Sequence, residues 1–316
     1  MKKLKIILSL LFIAALIAVI WYKSAYSEKS YKTTEFLFDT TCSVTAYGND
    51  AKEAAEEAFS IIEKIHLLAN FYSDTSDVSK INAAAVGEAV SIDKMTAEIL
   101  SLNLEISEKT GGTFDPTIAP LSELWDLGGE NPHVPNDEEI AAAAKMVDYT
   151  AIILDQENLT VTKTKDVKID LGASAKGYAC DKAAEVFKGK GIPAIIDLGG
   201  NVSCTGKNPT SKNGMWKIGL QIPFAATGSY EQVIEIEDGS VVTSGTYQRY
   251  FEENGEKYHH ILDPDTGFPK EADYDAVTVV TDSSLLGDCL STACFLVGRD
   301  AGEKLAGEYG AKVYYY

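Results

Sequence analysis

The stretch LLGDCLSTACFLVG, residues 285–298, sets Asp288 and Thr292 four positions apart with Ser291 beside them. On a helix that spacing sends the two side chains off one face, a turn apart. The residues around them are those of a buried face. An unpaired buried carboxylate is costly, so Asp288 needs a donor, a cation or a wet cleft. Upstream, IDLGASAKGYACDKAAE carries a small-residue loop from Asp170 into a helix near Lys176. Free N–H groups at a helix start attract anions, and small side chains let a phosphate approach the backbone. A tight turn with an ordinary surface lysine is the other reading of that loop. YHHILDPDTGFP puts His259 and His260 together at a strand end. Alternate strand residues face opposite ways, so only one of the two can look into a cleft. There a histidine beside phosphate and metal could act as base or orienter, and a hydrogen-bonded structural histidine is the alternative. TFDPT and SGTYQRYF add polar clusters of the kind that also cap turns.

These residues need elements to hold them. EFLFDTTCSVTAYG alternates like one strand, and NDAKEAAEEAFSIIEKIHLLANFYS has apolar residues at helical spacing. A loop, SDTSDVSKIN, is expected next, then a helix from Thr96 to Lys109 closed by Gly111-Gly112. GGENPHVPNDEE is rich in turn formers and precedes a short helix over Asp137 to Met146. AIILDQENLTVT reads as a hairpin, VKIDL as a strand, YACDKAAEVFKGKG as a helix and PAIIDLGG as a strand, which makes a strand-helix-strand unit. MWKIGLQIP, QVIEIE and DAVTVVT are further strands, and TYQRYFEENGEKYHHIL is a hairpin about Asn-Gly. The chain stops at AKVYYY just after another strand begins, which leaves room for a short further tail. One helical crossover among many hairpins favours an α+β fold over a doubly wound sheet.

The 316 residues are 45% hydrophobic and 24% charged, enough for a sizeable core. Lys2, Lys3 and Lys5 followed by an apolar run from Ile6 to Trp21 mark residues 1–22 as an export signal, retained as a membrane anchor or cleaved. The lysines put the rest of the chain on the outer side of a bacterial cytoplasmic membrane. No cysteine directly follows the run to take a lipid. Residues 23–34 read as a linker and 35–316 as a catalytic domain. A formal charge of −19 repels phosphate backbones and argues against nucleic acid as a partner. The five cysteines form no CxxC pair or zinc spacing and read mainly as small buried residues. GGNVSCTGKN fails as a phosphate loop: five residues separate Gly200 from Gly206, and Asn208 stands where Ser or Thr belongs. GASAK fails as a nucleophile elbow because Lys176 replaces its second glycine.

Five blocks, in order and over nearly the whole chain after the leader, together resemble the FAD:protein FMN transferase family, known as the ApbE family. They are FDTTCSVTAYG, GGTFDPTIAPLSELW, IDLGASAKGYACDKAAE, TSGTYQRYFEENGEKYHHILDPDTG and LLGDCLSTACFLVG. The resemblance implies one α+β domain of two lobes with FAD between them, mixed and antiparallel sheets and flanking helices. It implies magnesium as cofactor, and FAD as the substrate whose FMN half passes to a threonine or serine of an acceptor flavoprotein, with AMP released. By position it makes Asp288, Thr292, Ser291 and the Ala173 carbonyl metal ligands, and sets Asp170, Lys176, Asp115, Pro116, Thr117 and Leu262 around FAD. His260, before the DPxTG turn, matches the histidine the family uses in transfer. Asp39 falls where many relatives have methionine in an M-G-T-like triplet; here the triplet is DTT, a departure at the first FAD contact. A magnesium-dependent FAD pyrophosphatase yielding FMN and AMP, or a non-catalytic FAD-binding membrane protein, would use the same site.

Overall fold

The computed structural model describes residues 29–226 and 228–316; the apolar leader lies outside them. Among the described residues no helix is long and apolar enough to cross a membrane. The described chain opens with β1 (Ser30–Leu37) and β2 (Thr40–Tyr47), paired antiparallel from Ser30↔Tyr47 to Leu37↔Thr40. EFLFDTTCSVTAYG is thus not one strand but parts of two, and the first begins inside the stretch read as linker. The turn between them is Phe38-Asp39, with φ of 52° and 56°. Hairpin turns of this hand usually carry Gly or Asn, so the alternation ran on with no turn signal to break it.

Seven strands form the main sheet in the order β1-β2-β6-β7-β10-β13-β14, every neighbour antiparallel. Here β6 is Ala194–Leu198, β7 Asn201–Thr205, β10 Gly239–Gly245, β13 Ala276–Thr281 and β14 Lys312–Tyr315. Cys42, Val44 and Ala46 of β2 and Ala194, Ile196 and Leu198 of β6 are buried at a period of two. They pack against α1 (Ala51–Ala69) and α6 (Ala175–Lys190). Alanines 54, 55 and 58 on α1 and 179, 183 and 184 on α6 let these helices lie close, while Ile62 and Phe187 fill the gaps. The opposite face is covered by the hairpin of β8 (Trp216–Gln221) and β9 (Tyr230–Ile236), whose Trp216, Ile218 and Leu220 meet Cys204 and Val241.

A third core holds α7 (Ser284–Val297) in place. Its Cys289, Leu290, Ala293 and Phe295 are buried with Val277 and Val279 of β13 and Ile106 of α3 (Lys94–Thr110). Burying a side chain of the Leu or Phe class contributes about 1.5–3 kcal/mol. That burial draws α7, and with it Asp288, into the interior. A last core joins α4 (Ala119–Trp125) to α5 (Asp137–Ala144) through Leu121, Trp125 and Ile140, with Leu262 packed in. The predicted hairpins form as β4 (Ile152–Asp155) with β5 (Thr160–Lys163), and β11 (Tyr250–Glu253) with β12 (Glu256–His259) about Asn254-Gly255. A short β3 (Ala89–Ser91) completes the sheet β3-β5-β4, and α8 (Arg299–Glu308) follows α7.

Two other expectations change. SDTSDVSKIN is not all loop: α2 (Asp77–Ala83) starts there because the Ser76 side chain accepts from Ser79 N at 3.0 Å. VKIDL is extended, with Val167, Ile169 and Leu171 buried alternately, but it joins no sheet beyond a bridge from Lys168 to Ile118. The Asn82 amide takes the strand neighbour's place, accepting from Ile169 N at 2.7 Å and donating to Ile169 O at 2.9 Å. The strand-helix-strand unit is therefore incomplete. All five thiols are free and buried. The whole is a single α+β domain.

Candidate active site

A cavity of about 1080 Å³ opens where the main sheet, α6 and α7 meet. Ten of the residues singled out from the sequence line it: Asp39, Asp115, Pro116, Asp170, Ala173, Lys176, His260, Leu262, Asp288 and Thr292. Thr117 and Ser291 do not. Thr117 is fully buried and braces its own turn, donating to Asp115 Oδ1 at 2.6 Å and accepting from Asp148 N at 2.7 Å. Ser291 is fully buried behind the wall, donating to Asp288 O at 3.0 Å and lying 2.8 Å from Ser244 Oγ. Both were expected at the site from the family resemblance alone, and position in a motif does not say which way a hydroxyl turns.

Asp288 reaches the start of α6 because Gly177 lets α6 and α7 touch. A Cβ on Gly177 would lie 2.7 Å from Asp288 Cβ and 2.8 Å from Leu285 Cα. The carboxylate is 3% exposed. Its Oδ2 accepts from Gly177 N at 2.8 Å, and its Oδ1 lies 3.6 Å from Lys176 Nζ and accepts no hydrogen bond among the described residues. In a regular helix Gly177 N would serve the carbonyl four residues back, that of Ala173. Since Asp288 takes that N–H, the Ala173 carbonyl accepts no hydrogen bond among the described residues. Asp288 Oδ1, the Ala173 carbonyl and Thr292 Oγ1, which is 3.1 Å from Ser244 Oγ, are thus three oxygens with open acceptor capacity on residues that line the cavity. Among the described residues no group of three His, Cys, Asp or Glu is placed to hold a metal, here or elsewhere. One carboxylate, one hydroxyl and one carbonyl suit a hard cation that keeps waters and substrate oxygens, as magnesium does. The residues present fit the metal.

Lys176 Nζ donates to Gly172 O at 3.1 Å and is the cation at this end of the cavity. Asp170 bonds Gly172 N at 2.8 Å, and burial raises its carboxyl pKa, with Arg249 and Lys176 acting against the rise. Asp115 is likewise raised by burial, though its oxygens are engaged by Thr117 and by Tyr149 N at 2.8 Å. His259 and His260 part as strand geometry requires. His259 turns inward, 3.1 Å from Lys270 O and edge-on to Phe295. His260 faces the cavity. Its Nδ1 lies 3.2 Å from Arg249 O, an acceptor only, so Nδ1 carries the proton and Nε2 keeps its lone pair. Burial, then the charges of Arg249, His259 and Lys176, push this imidazole down to about 3, so it is neutral at physiological pH.

Residues not singled out from the sequence complete the walls: Phe38, Phe71, Tyr72, Gly199, Gly200, Thr243, Ser244 and Arg249 among them. Tyr72 is 72% exposed. Arg249, one of two arginines in the chain, donates to Phe38 O at 3.3 Å and ties the β1–β2 turn to the loop before β11. Its place in SGTYQRYF was the available signal.

Residues 38–315 match the model of the ApbE family. Among curated relatives, the FAD:protein FMN transferase of Treponema pallidum is 30% identical, covering 89% of this chain and 82% of its own. That of Klebsiella pneumoniae is 32% identical over 87% and 85%. Among solved structures, the ApbE protein of Thermotoga maritima superposes with a TM-score of 0.84 at 32% identity, covering 91% of this chain and 94% of the other. The flavinyl transferase ApbE of Pseudomonas stutzeri, in its apo form, gives 0.79 at 28%, covering 91% of each. With the match running from the β1–β2 turn to β14, through every wall of the cavity, this chain belongs to the ApbE family.

Proposed function

We propose that this protein is an FAD:protein FMN transferase: with magnesium it moves the FMN half of FAD onto a threonine or serine hydroxyl of an acceptor flavoprotein and releases AMP. The observation that carries the reading is one cavity holding an open oxygen set (Asp288 Oδ1, Thr292 Oγ1, Ala173 O), a lysine and a neutral histidine. Magnesium, when bound, supplies Lewis-acid polarisation of the phosphorus and offsets charge on the phosphate oxygens. Asp288, Thr292 and the Ala173 carbonyl would hold it. Lys176 adds a fixed positive charge where the pyrophosphate negative charge grows. His260 Nε2 accepts the proton of the attacking hydroxyl, and its Nδ1–H stays on Arg249 O, which fixes the ring. A bond forms from the hydroxyl oxygen to the FMN phosphorus. The bond to the bridging oxygen breaks, and AMP leaves with that electron pair. In the free protein His260 is a weak base, but a pyrophosphate beside it raises its basicity by favouring the charged form.

The apolar leader supports an exported protein working at the outer face of the cytoplasmic membrane, on an anchor or after cleavage. Co-expression with exported flavoproteins of the same cell, followed by mass spectrometry, tests the function. A covalent FMN adduct on threonine or serine, absent with the Asp288→Ala variant, is the expected result. Free FMN and AMP with no adduct on any protein would make the enzyme a pyrophosphatase instead.

A further inference from the structure

Asp181 has no part in the chemistry above, yet it is a carboxylate largely removed from water and engaged by another helix. It lies on α6 four residues after Gly177, hence on the same face, toward α7. Its Oδ1 accepts from Ser284 N at 2.6 Å and its Oδ2 from Leu285 N at 3.0 Å and from Ser283 Oγ at 2.7 Å. Ser283 Oγ in turn accepts from Leu286 N at 3.2 Å. The first three amides of α7 are therefore satisfied from one carboxylate on a neighbouring helix, directly or through one hydroxyl. The arrangement is reciprocal: one turn away, Asp288 of α7 accepts from Gly177 N in the first turn of α6. Each helix supplies an acid to the other's amino end, where the helix dipole favours negative charge. The two clasps together set how far α7 slides along α6. That displacement decides whether Asp288 Oδ1 and Thr292 Oγ1 stand beside the Ala173 carbonyl.

We propose that Asp181 is a positioning residue for the metal site: it clamps the start of α7 to α6 and so holds Asp288 and Thr292 in register with Ala173. This rests on the reading of that oxygen set as a magnesium site. Hydrogen-bonded partners behind metal ligands typically govern affinity by 10–100-fold.

The test measures binding rather than turnover, with Mn²⁺ as a paramagnetic probe and ADP as an unreactive pyrophosphate, followed by electron paramagnetic resonance. Asp181→Ala is expected to weaken Mn²⁺ binding about 10-fold. Amide exchange should rise in residues 284–292 while the strands of the main sheet keep their protection. Asp181→Asn, which keeps the shape and one accepting oxygen, should fall between the two and serves where Asp181→Ala does not fold. Wild-type Mn²⁺ affinity in both variants would overturn the proposal, and so would faster exchange spread evenly over the domain, the mark of general loosening. Failure of the wild-type protein itself to take up Mn²⁺ with ADP would instead strike the metal site on which the proposal stands.

Discussion

On the proposed mechanism, His260 is the residue whose removal should separate binding from chemistry. Its ring faces the cavity but is not part of the oxygen set, so His260→Ala should keep FAD and metal while losing about 10²–10⁴-fold in transfer rate. Equilibrium dialysis of FAD beside a transfer assay checks both halves. The same ring leaves a mark on stability. Folded, it titrates at about 3; unfolded, near its ordinary 6.5. Between those values the unfolded chain binds a proton that the folded protein refuses, so stability falls as pH drops from 6.5 toward 3. His259, also lowered by burial, acts in the same direction. Denaturant unfolding between pH 7 and 4 should therefore show a shallower pH slope for His260→Gln than for wild type. What local periodicity made legible was placement: Asp288 with Thr292 on one helix face by spacing, and the parting of the two histidines by strand alternation. Arg249 was not legible as a cavity residue. Its partner Phe38 lies 211 positions away, and no local spacing encodes that meeting.

Between elements, the contact that matters most is α6 against α7 at Gly177. On an exposed helix Gly→Ala would gain about 1 kcal/mol of propensity. Here the new methyl would collide with the Ser284 carbonyl, Leu285 Cα and Asp288 Cβ, and overpacking of this kind costs about 1–3 kcal/mol. The clash wins. Gly177→Ala should lower thermal stability and weaken metal binding together, as differential scanning calorimetry and a metal titration would show; a variant more stable than wild type would contradict the close packing. Helices and hairpins with their own signals, such as the α6 Gly191 stop and the Asn254-Gly255 turn, could be read in advance. The β1–β2 turn and the failed strand at VKIDL could not. The first has no glycine or asparagine and puts a phenylalanine at one of its two positive-φ positions, and the second is displaced from strand pairing by a side-chain amide 87 residues away.

At the scale of the whole molecule, a strongly negative protein binds a negative dinucleotide. The net charge of −19 repels FAD from a distance, while Lys176 and Arg249, which line the cavity, attract it only once it is inside. Salt screens the long-range part first. FAD association at fixed magnesium should therefore quicken by about 2- to 10-fold between 10 and 150 mM salt, opposite in sign to a steered encounter; stopped-flow flavin fluorescence would detect it. The α+β class could be argued from the balance of hairpins and one crossover. The order of the seven strands could not, because it is set by pairings between distant segments.

The account rests on where the dinucleotide and its metal sit. A crystal structure with FAD and magnesium tests that directly. The metal should lie about 2.1 Å from Asp288 Oδ1, Thr292 Oγ1 and the Ala173 carbonyl oxygen, with the pyrophosphate between Lys176 and His260. A pyrophosphate bound elsewhere, with those three oxygens facing only water, would contradict it.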